Sequence, residues 1–164
     1  MFQIGEKVVY RLLTVCIVEG VETPSFEVNK DRKFYKLSPV FDNKNATTVY
    51  VPTNSNEALR ALWTEVEVSK ALNEVAKLKP TVCTAKKIPQ LTAHYQELLR
   101  SCEPINYLLV LKETSVKEKS MKKLSEIDAR FRAKTEKHVC EEFSLVLGKT
   151  FEEIRHMLNE SIKV

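Results

Sequence analysis

The spacing of hydrophobic residues along the chain changes near residue 52. Before this point, apolar residues alternate with polar ones or form short β-branched runs, a pattern that is typical of strands. After it, apolar residues recur at intervals of three and four, the spacing of helices that bury one face. The pattern therefore predicts an α+β protein of two domains, with a β-rich first domain and a helical second domain.

Residues 33–52, KFYKLSPVFDNKNATTVYVP, are predicted to form a β-hairpin. Two apolar runs, residues 34–41 and 47–51, are separated by the polar stretch 42–46. Asp and Asn tolerate the backbone angles of tight turns and bond their own main chain, so this stretch is predicted to be the turn. Pro52 is predicted to end the second strand, because proline has no amide hydrogen to donate to a ladder.

Further short strands are predicted at residues 7–10, 13–21 and 26–28. Together with the hairpin they give five strands joined by tight turns. Five strands in about fifty residues fit a small antiparallel β-barrel of the SH3 or Tudor kind, an architecture that protects its edges by curling. The first domain is predicted to span residues 1–53.

Residues 54–164 are predicted to form an all-α bundle of four to five helices. Thr64 and Glu67 have the spacing of a capping box, and Trp63 before the cap is placed to pack on Val68 as a hydrophobic staple. The other helices are predicted to start near Gln90, at Pro104, after Ser125 and after Thr150, and Gly148 is predicted to end the fourth.

Composition is that of a soluble globular protein, with 43% hydrophobic and 29% charged residues among 164. The sequence shows no basic leader followed by a long apolar run and no stretch near the roughly 18 apolar residues of a membrane span. A cytoplasmic protein without membrane contact is predicted. The four cysteines are scattered without a CxxC pair, which predicts reduced thiols and neither a metal site nor a cofactor.

No catalytic motif is found in the sequence. Three glycines are too few for a phosphate-cradling loop, and GxSxG and HExxH are absent. His138 and Cys140 lie two residues apart, so on a helix they point to different faces. We predict Cys140 in the core and His138 at the surface. The chain is therefore predicted not to be an enzyme and to have no small-molecule substrate.

Positive charge is concentrated in the central segment. Residues 86–139 contain twelve Lys and Arg against seven Asp and Glu, whereas the whole chain has a net charge of +4. An excess of this kind on a helical segment indicates either a nucleic-acid footprint or a solvated helix face. The charge pattern alone leaves both interpretations open.

Three segments in this order resemble the CarD family of bacterial transcription regulators. They are MFQIGEKVVY at residues 1–10, FYKLSPVFDNKNATTVYVP at 34–52 and LSEIDARFRAKTEKHVCEEFSLVLG at 124–148. The second segment is similar to clostridial members. The turn after Tyr10 departs from them, with Arg11 and Thr14 where these relatives tend to have glycines. The family shares its N-terminal module with transcription-repair coupling factor.

The resemblance implies that the N-terminal barrel binds the β subunit of RNA polymerase through an exposed strand edge. The residues that it implies for this contact are Phe26, Thr48, Tyr50 and Pro52.

It also implies that the helical domain contacts promoter DNA at the upstream edge of the melted bubble, where double and single strands meet, largely without sequence specificity. The family's wedge tryptophan is absent from the corresponding stretch KKIPQLTAHY. The residues implied for DNA contact are Lys86, Lys87, Leu91, His94, Lys122, Lys123, Arg130 and Arg132. The alternative is an adaptor that binds polymerase through its barrel and another protein through its helical domain.

Overall fold

The chain folds as two compact units, Met1–Leu62 and Trp63–Val164. The first contains a five-stranded antiparallel sheet and the second contains five helices, which confirms the predicted α+β class. The computed structural model describes residues 1–41, 47–55, 59–121 and 123–163.

The strands of the first unit form one sheet in the order β4-β3-β2-β1-β5. The edge strands are therefore β4 and β5. The bounds are β1 Lys7–Tyr10, β2 Thr14–Glu22, β3 Phe34–Pro39, β4 Val49–Pro52 and β5 Leu59–Ala61.

Two strand predictions differ from the structure. The prediction of a strand at residues 26–28 is wrong, because the main chain there forms local turns in which the Glu27 amide donates to the Pro24 carbonyl at 3.0 Å. The strand β5 was not predicted, and its pairing with β1 extends the first unit to Leu62, beyond the predicted boundary at residue 53. The predicted hairpin turn at 42–46 lies outside the described residues.

The inward face of the sheet carries the hydrophobic core of the first unit. Tyr35 on β3 lies near its centre, where its hydroxyl accepts a hydrogen bond from the Phe2 amide at 3.1 Å. The Phe2 ring packs edge-on against the Tyr35 ring, which attaches the N-terminal residues to the core. The buried residues of this core are Val8, Cys16, Val18, Tyr35, Leu37, Val51 and Leu59.

The turn between β1 and β2 has an uncommon backbone. Arg11 and Leu12 have φ angles of 48° and 73°, in the left-handed region that favours glycine. The chain therefore makes this tight connection with side chains present at both positions. The Arg11 guanidinium lies over the Tyr10 ring, 5.2 Å from its centroid.

The second unit consists of five α-helices. Most of their start and stop signals are local, so the sequence predicted their order correctly. The bounds are α1 Glu65–Lys77, α2 Ile88–Arg100, α3 Pro104–Met121, α4 Glu126–Leu147 and α5 Phe151–Ser161. None of the helices in the described ranges is long and apolar enough to cross a membrane.

The predicted helix caps are confirmed. Thr64 and Glu67 form both bonds of the capping box at the start of α1. Ser125 accepts the Asp128 amide at the start of α4, and Gly148 ends that helix with a φ of 65°. Thr150 accepts the Glu153 amide at the start of α5. These side chains satisfy amides that the first turn of a helix leaves without partners.

Trp63 anchors the start of the second unit in its core. It is 6% exposed, and its indole N–H donates to the Cys102 carbonyl at 2.8 Å. Its main-chain amide donates to the buried carboxylate of Glu142 at 2.9 Å. The Tyr107 and Phe143 rings pack edge-on against it. The tryptophan is therefore a core residue and is not available as a wedge in DNA.

The predicted surface position of His138 is wrong. The residue is 1% exposed, and its Nε2 lies 2.6 Å from the Glu142 carboxylate one helical turn later. Its ring also contacts the Trp63 and Tyr107 rings. A histidine can be buried on α4 because a carboxylate on the same helix satisfies its polar edge. Cys140 is buried as predicted, and burial raises the pKa of its thiol.

A buried lysine joins α3 to the end of α1. The Lys112 ammonium donates to the Val75 carbonyl at 2.6 Å and to the Ala76 carbonyl at 3.3 Å. These carbonyls lie in the last turn of α1, where a helix leaves acceptors without partners and where its dipole favours positive charge. Lys112 therefore caps a helix to which it does not belong.

Candidate functional site

Strand β4 presents an open edge in the first unit. It pairs with β3 on one side, and none of the other described strands pairs with its second side. The Thr53 amide donates to the Lys33 carbonyl at 3.1 Å, which sets the alternation of the ladder. In an antiparallel pair of strands, every second residue forms its main-chain hydrogen bonds with the neighbouring strand. Val49 and Val51 therefore direct their N–H and C=O groups to β3, whereas the N–H and C=O groups of Tyr50 point away from the sheet. The edge can therefore accept a further strand at Tyr50.

An aromatic cluster covers the outer face of the sheet beside this edge. We call Phe26, Phe34, Tyr50 and Pro52 the edge patch. The Phe26 ring packs edge-on against Tyr50 with centroids 5.6 Å apart and against Phe34 at 6.1 Å. Pro52 pairs with Phe34 across the two strands. Phe26 is 66% exposed, so the edge patch presents an aromatic surface to solvent directly beside the open strand.

Polar contacts fix the orientation of this cluster. The Tyr50 hydroxyl donates to the Glu22 carboxylate at 3.0 Å, and this hydrogen bond raises the pKa of Tyr50. The Arg32 guanidinium lies over the Phe34 ring at 5.2 Å and pairs with Glu27. The structure thus brings together three of the four residues implied for polymerase contact. The fourth, Thr48, is exposed two residues before Tyr50.

Exposed lysines lie at one end of the helical unit. Lys86 and Lys87 are exposed at the end of the loop that leads into α2, and Lys123 is exposed between α3 and α4. Lys86 lines a cavity together with Met121 and Ser125, each of which is two residues from Lys123 in the sequence. Lys86 therefore lies at the opening of this cavity, and Lys87 follows it directly in the chain. Lys122 lies outside the described residues.

Two arginines of the predicted DNA surface lie on α4. Arg130 is exposed, with its guanidinium 5.7 Å from the Phe131 ring centroid. Arg132 is half-buried and forms an ion pair with Glu118 of α3. Arg130 is therefore available to a phosphate, whereas Arg132 would have to share its guanidinium between Glu118 and a phosphate.

Leu91 and His94 occupy positions that do not suit direct DNA contact. Leu91 is 6% exposed and belongs to the buried face of α2. The His94 Nε2 lies 2.7 Å from the buried carboxylate of Glu113. The burial of Leu91 follows from the helical stripe that it shares with Tyr95 and Leu99.

A buried charged network lies behind these lysines. The Lys117 ammonium is 2.9 Å from the Asp128 carboxylate and 3.2 Å from the Tyr95 hydroxyl. The Tyr95 hydroxyl and the Ser125 hydroxyl both donate to Asp128. Burial would raise the pKa of Asp128, but the hydrogen bonds from Ser125, Tyr95 and Lys117 hold it below the usual range. Burial and the Asp128 hydrogen bond raise the pKa of Tyr95.

The same network holds the loop that carries the lysines. Glu113, 1% exposed, accepts the Cys83 amide at 2.7 Å, in addition to its contact with His94. Lys117 lies 3.9 Å from the same carboxylate. Glu113 thus connects the loop before α2 to α3, and three residues later the loop presents Lys86.

A cavity of about 530 Å³ opens between this loop, α2, the end of α3 and the start of α4. Its walls are mainly apolar, and Lys117 and Asp128 of the network form part of its lining. This site and the burial of Lys117 were not predicted from the sequence. The position of Lys117 one turn after Glu113 on the same helix was the available signal of a buried pair.

Comparison with protein families finds a match in the first unit. Residues 2–62 match the family model described as the CarD-like/TRCF RID domain. The match ends at the last residue of the first unit, so that unit is a CarD-like RNA polymerase-interacting domain. Such domains occur mostly in regulators without catalysis and also in transcription-repair coupling factor, an enzyme. No curated protein matches the chain.

Proposed function

We propose that the chain is a bacterial transcription regulator of the CarD type, acting in the cytoplasm without catalysis. It binds the β subunit of RNA polymerase through β4 and the edge patch, and it contacts promoter DNA through its helical unit. The observation that carries the proposal is the coincidence of an open strand edge and an exposed aromatic cluster in a polymerase-interacting domain. The resemblance of residues 124–148 to the CarD family, together with that of residues 34–52 to its clostridial members, extends the proposal to the whole chain.

The polymerase contact has the chemistry of strand addition. The outward main-chain groups at Tyr50 supply hydrogen bonds, which give affinity without reading side chains. The Phe26 and Tyr50 rings would become buried on binding, and buried aromatic side chains contribute most of the binding energy in many protein interfaces. Thr48, directly before β4, and Pro52, at the end of β4, flank Tyr50 and complete the proposed contact.

A binding measurement with purified components tests this function. The immobilised full-length chain is expected to retain purified RNA polymerase β subunit, and to retain polymerase from a bacterial lysate. Retention is measured by immunoblotting for the β subunit, with an unrelated small β-barrel protein as the control bait. If neither form of polymerase is retained above the control, the proposed function is wrong.

The DNA contact is proposed for the exposed cations of the helical unit. Lys86 lines the cavity, and Lys87, Lys123 and Arg130 are further exposed cations of the helical unit. Lysines at such positions bind phosphates without reading bases, which suits a factor that acts at many promoters. Tighter binding to the melted state than to the closed state would shift the population toward the open complex.

The salt dependence of DNA binding tests this part. The full-length chain is expected to bind a fork-junction promoter fragment with an affinity that falls steeply as salt is raised. Lys86→Ala with Lys87→Ala should reduce the slope of log K against log salt by about 1.8, since each phosphate contact contributes about 0.9. Fluorescence anisotropy measures the slope.

The matched control removes two other exposed lysines of the same unit, Lys134 and Lys137. This double variant has the same net charge as the test variant, so general attraction to DNA is equal in both. Equal slopes for the two double variants would contradict a specific role for Lys86 and Lys87. Circular dichroism verifies that both variants remain folded.

The adaptor remains the alternative, and one observation favours it. The mouth of the cavity is flanked by the apolar side chains of Ile88 and Met121, which are 63% and 69% exposed. Exposed apolar side chains beside a cavity are typical of surfaces that bind proteins. Retention of the polymerase β subunit combined with undetectable DNA binding would support the adaptor.

A further inference from the structure

The cavity beside α2 has the size of a small-molecule site. Its volume of about 530 Å³ lies within the range of about 300–1,000 Å³ that such sites have. Its lining comes from the loop before α2, from α2 itself, from α3 and from the start of α4. A ligand in it would therefore contact most of the segments at this end of the helical unit.

The walls favour an apolar ligand. Aliphatic and thioether side chains from every lining segment face the space, and the polar groups deeper in it satisfy one another. Lys117 and Asp128 are each 5% exposed and form an ion pair at 2.9 Å, so neither requires a polar ligand atom. The apolar lining residues are Val82, Ala85, Ile88, Leu91, Met121 and Ile127.

The mouth favours a negative end group on that ligand. Lys86 belongs to the lining, and the ion pairs of the described residues do not include it. The neighbouring Lys87 and Lys123 are exposed and add positive charge. The lining also contains one exposed acidic residue, Glu126. Glu126 lies in the first turn of α4, where the positive end of the helix dipole partly compensates its negative charge.

We propose that this cavity binds an amphipathic carboxylate with a medium-length acyl chain. The chain occupies the apolar space between Leu91 and Ile127, and the carboxylate lies at the mouth beside the Lys86 ammonium. Burial of each methylene supplies most of the affinity, and the ion pair selects the sign of the head group. No covalent step is involved.

Ligand binding would act on the same loop that we propose for DNA contact, and this consequence rests on the proposed function. A carboxylate beside Lys86 neutralises a charge that a phosphate would otherwise use. Binding of the two ligands is then mutually unfavourable, and each weakens the other by the same factor. The cavity would thus make promoter contact responsive to an acyl carboxylate.

A matched series of head groups tests the site. Decanoate, decanol and decyltrimethylammonium carry similar chains with negative, neutral and positive heads. Calorimetry of the full-length chain, below micelle-forming concentrations, is expected to give saturable binding that is strongest for decanoate and weakest for the cation. Amide shifts in an NMR titration are expected at residues 82–91 and 117–128. Absence of saturable binding, equal affinity for all three heads, or shifts confined to other segments would overturn the proposal.

Single substitutions test the apolar interior of the cavity and its charged mouth separately. Ala85→Trp is expected to fill the space and abolish decanoate binding. Lys86→Met is expected to weaken decanoate binding by about 2- to 5-fold, as for an exposed ion pair, and to leave decanol binding unchanged. Lys134→Met, at an exposed lysine of α4 outside the lining, is the matched control. Equal effects of Lys86→Met and Lys134→Met would overturn the assignment of the head group.

The effect on DNA is measured separately from ligand binding. If the full-length chain binds the fork-junction fragment, decanoate is expected to raise its dissociation constant and decanol to leave it unchanged. Decanoate binding without any DNA binding would refute the proposed DNA contact and leave the cavity site intact. DNA binding with no decanoate binding would refute the cavity site alone.

Discussion

Replacing Asp128 by Ala is expected to lower the free energy of unfolding by about 3–5 kcal/mol, the usual cost of breaking a buried ion pair. The Lys117 ammonium, 5% exposed, would lose its partner at 2.9 Å and keep Glu113 at 3.9 Å. The Tyr95 and Ser125 hydroxyls would also lose their acceptor. Urea denaturation followed by circular dichroism measures the change.

An exposed ion pair in the same unit supplies the control. Arg132 pairs with Glu118 at the surface, and Arg132→Ala is expected to cost no more than about 1 kcal/mol. A second comparison replaces both buried partners, Lys117→Met with Asp128→Leu, which should recover much of the loss because no unpaired charge remains. If Asp128→Ala costs no more than Arg132→Ala, the network does not stabilise the fold as described.

Acid should remove the same contribution from the unaltered chain. The folded state holds the pKa of Asp128 below its usual value, so folding favours the ionised carboxylate. Its contribution is complete above the unfolded pKa of about 3.9 and is lost as the pH falls through the lower folded pKa. The difference in stability between the chain and the Asp128→Ala variant should therefore narrow below about pH 4. Denaturation curves at a series of pH values measure it.

Replacing Tyr50 by Ala is expected to weaken binding of the polymerase β subunit by about 2 kcal/mol or more, which is about 30-fold. Tyr50 lies on the open edge strand, and its ring supports the exposed Phe26 ring. Loss of the Tyr50 side chain would therefore remove one contact with the β subunit and leave the Phe26 ring without the support of the Tyr50 ring. Surface plasmon resonance with immobilised β subunit measures the dissociation constant.

Three further variants define this surface. Phe26→Ala is expected to weaken binding to a similar extent, because the ring is 66% exposed and available to a partner. Val28→Ala lies in the same loop, is 91% exposed and should change the affinity little. Tyr50→Phe removes only the hydrogen bond to Glu22 and tests the role of ring orientation. If Val28→Ala and Phe26→Ala have equal effects, the edge patch is not the binding surface.

The order of the helices could be predicted because their boundaries depend on neighbouring residues. The caps act within one helical turn, so the local sequence is enough to predict them. They are Thr64 with Glu67, Ser125 with Asp128, and Gly148. The same reasoning cannot find β5. That strand has three residues, and it exists because Leu59–Ala61 pair with β1 some fifty positions earlier in the chain.

The candidate sites divide along the same line. The strands on either side of the predicted turn, including the one that contains Tyr50, were predictable from their hydrophobic pattern. The resemblance to the CarD family implied the RNA polymerase β subunit as their binding partner. The packing of Phe26 on Tyr50 was not predictable, because it joins a turn to a strand on the other side of β3. The cavity and its network depend on Tyr95, Lys117 and Asp128 from three different helices, which tertiary packing alone brings together.

The Lys112 cap has a consequence for how the helical unit comes apart. Its ammonium is buried and bonds the last-turn carbonyls of α1, although Lys112 belongs to α3. Separation of the two helices would expose these carbonyls and the Lys112 ammonium to water at the same time. It would also expose the apolar face of α1 to water. Local unfolding of α1 is thereby tied to its detachment from α3, and the two helices behave as one cooperative segment.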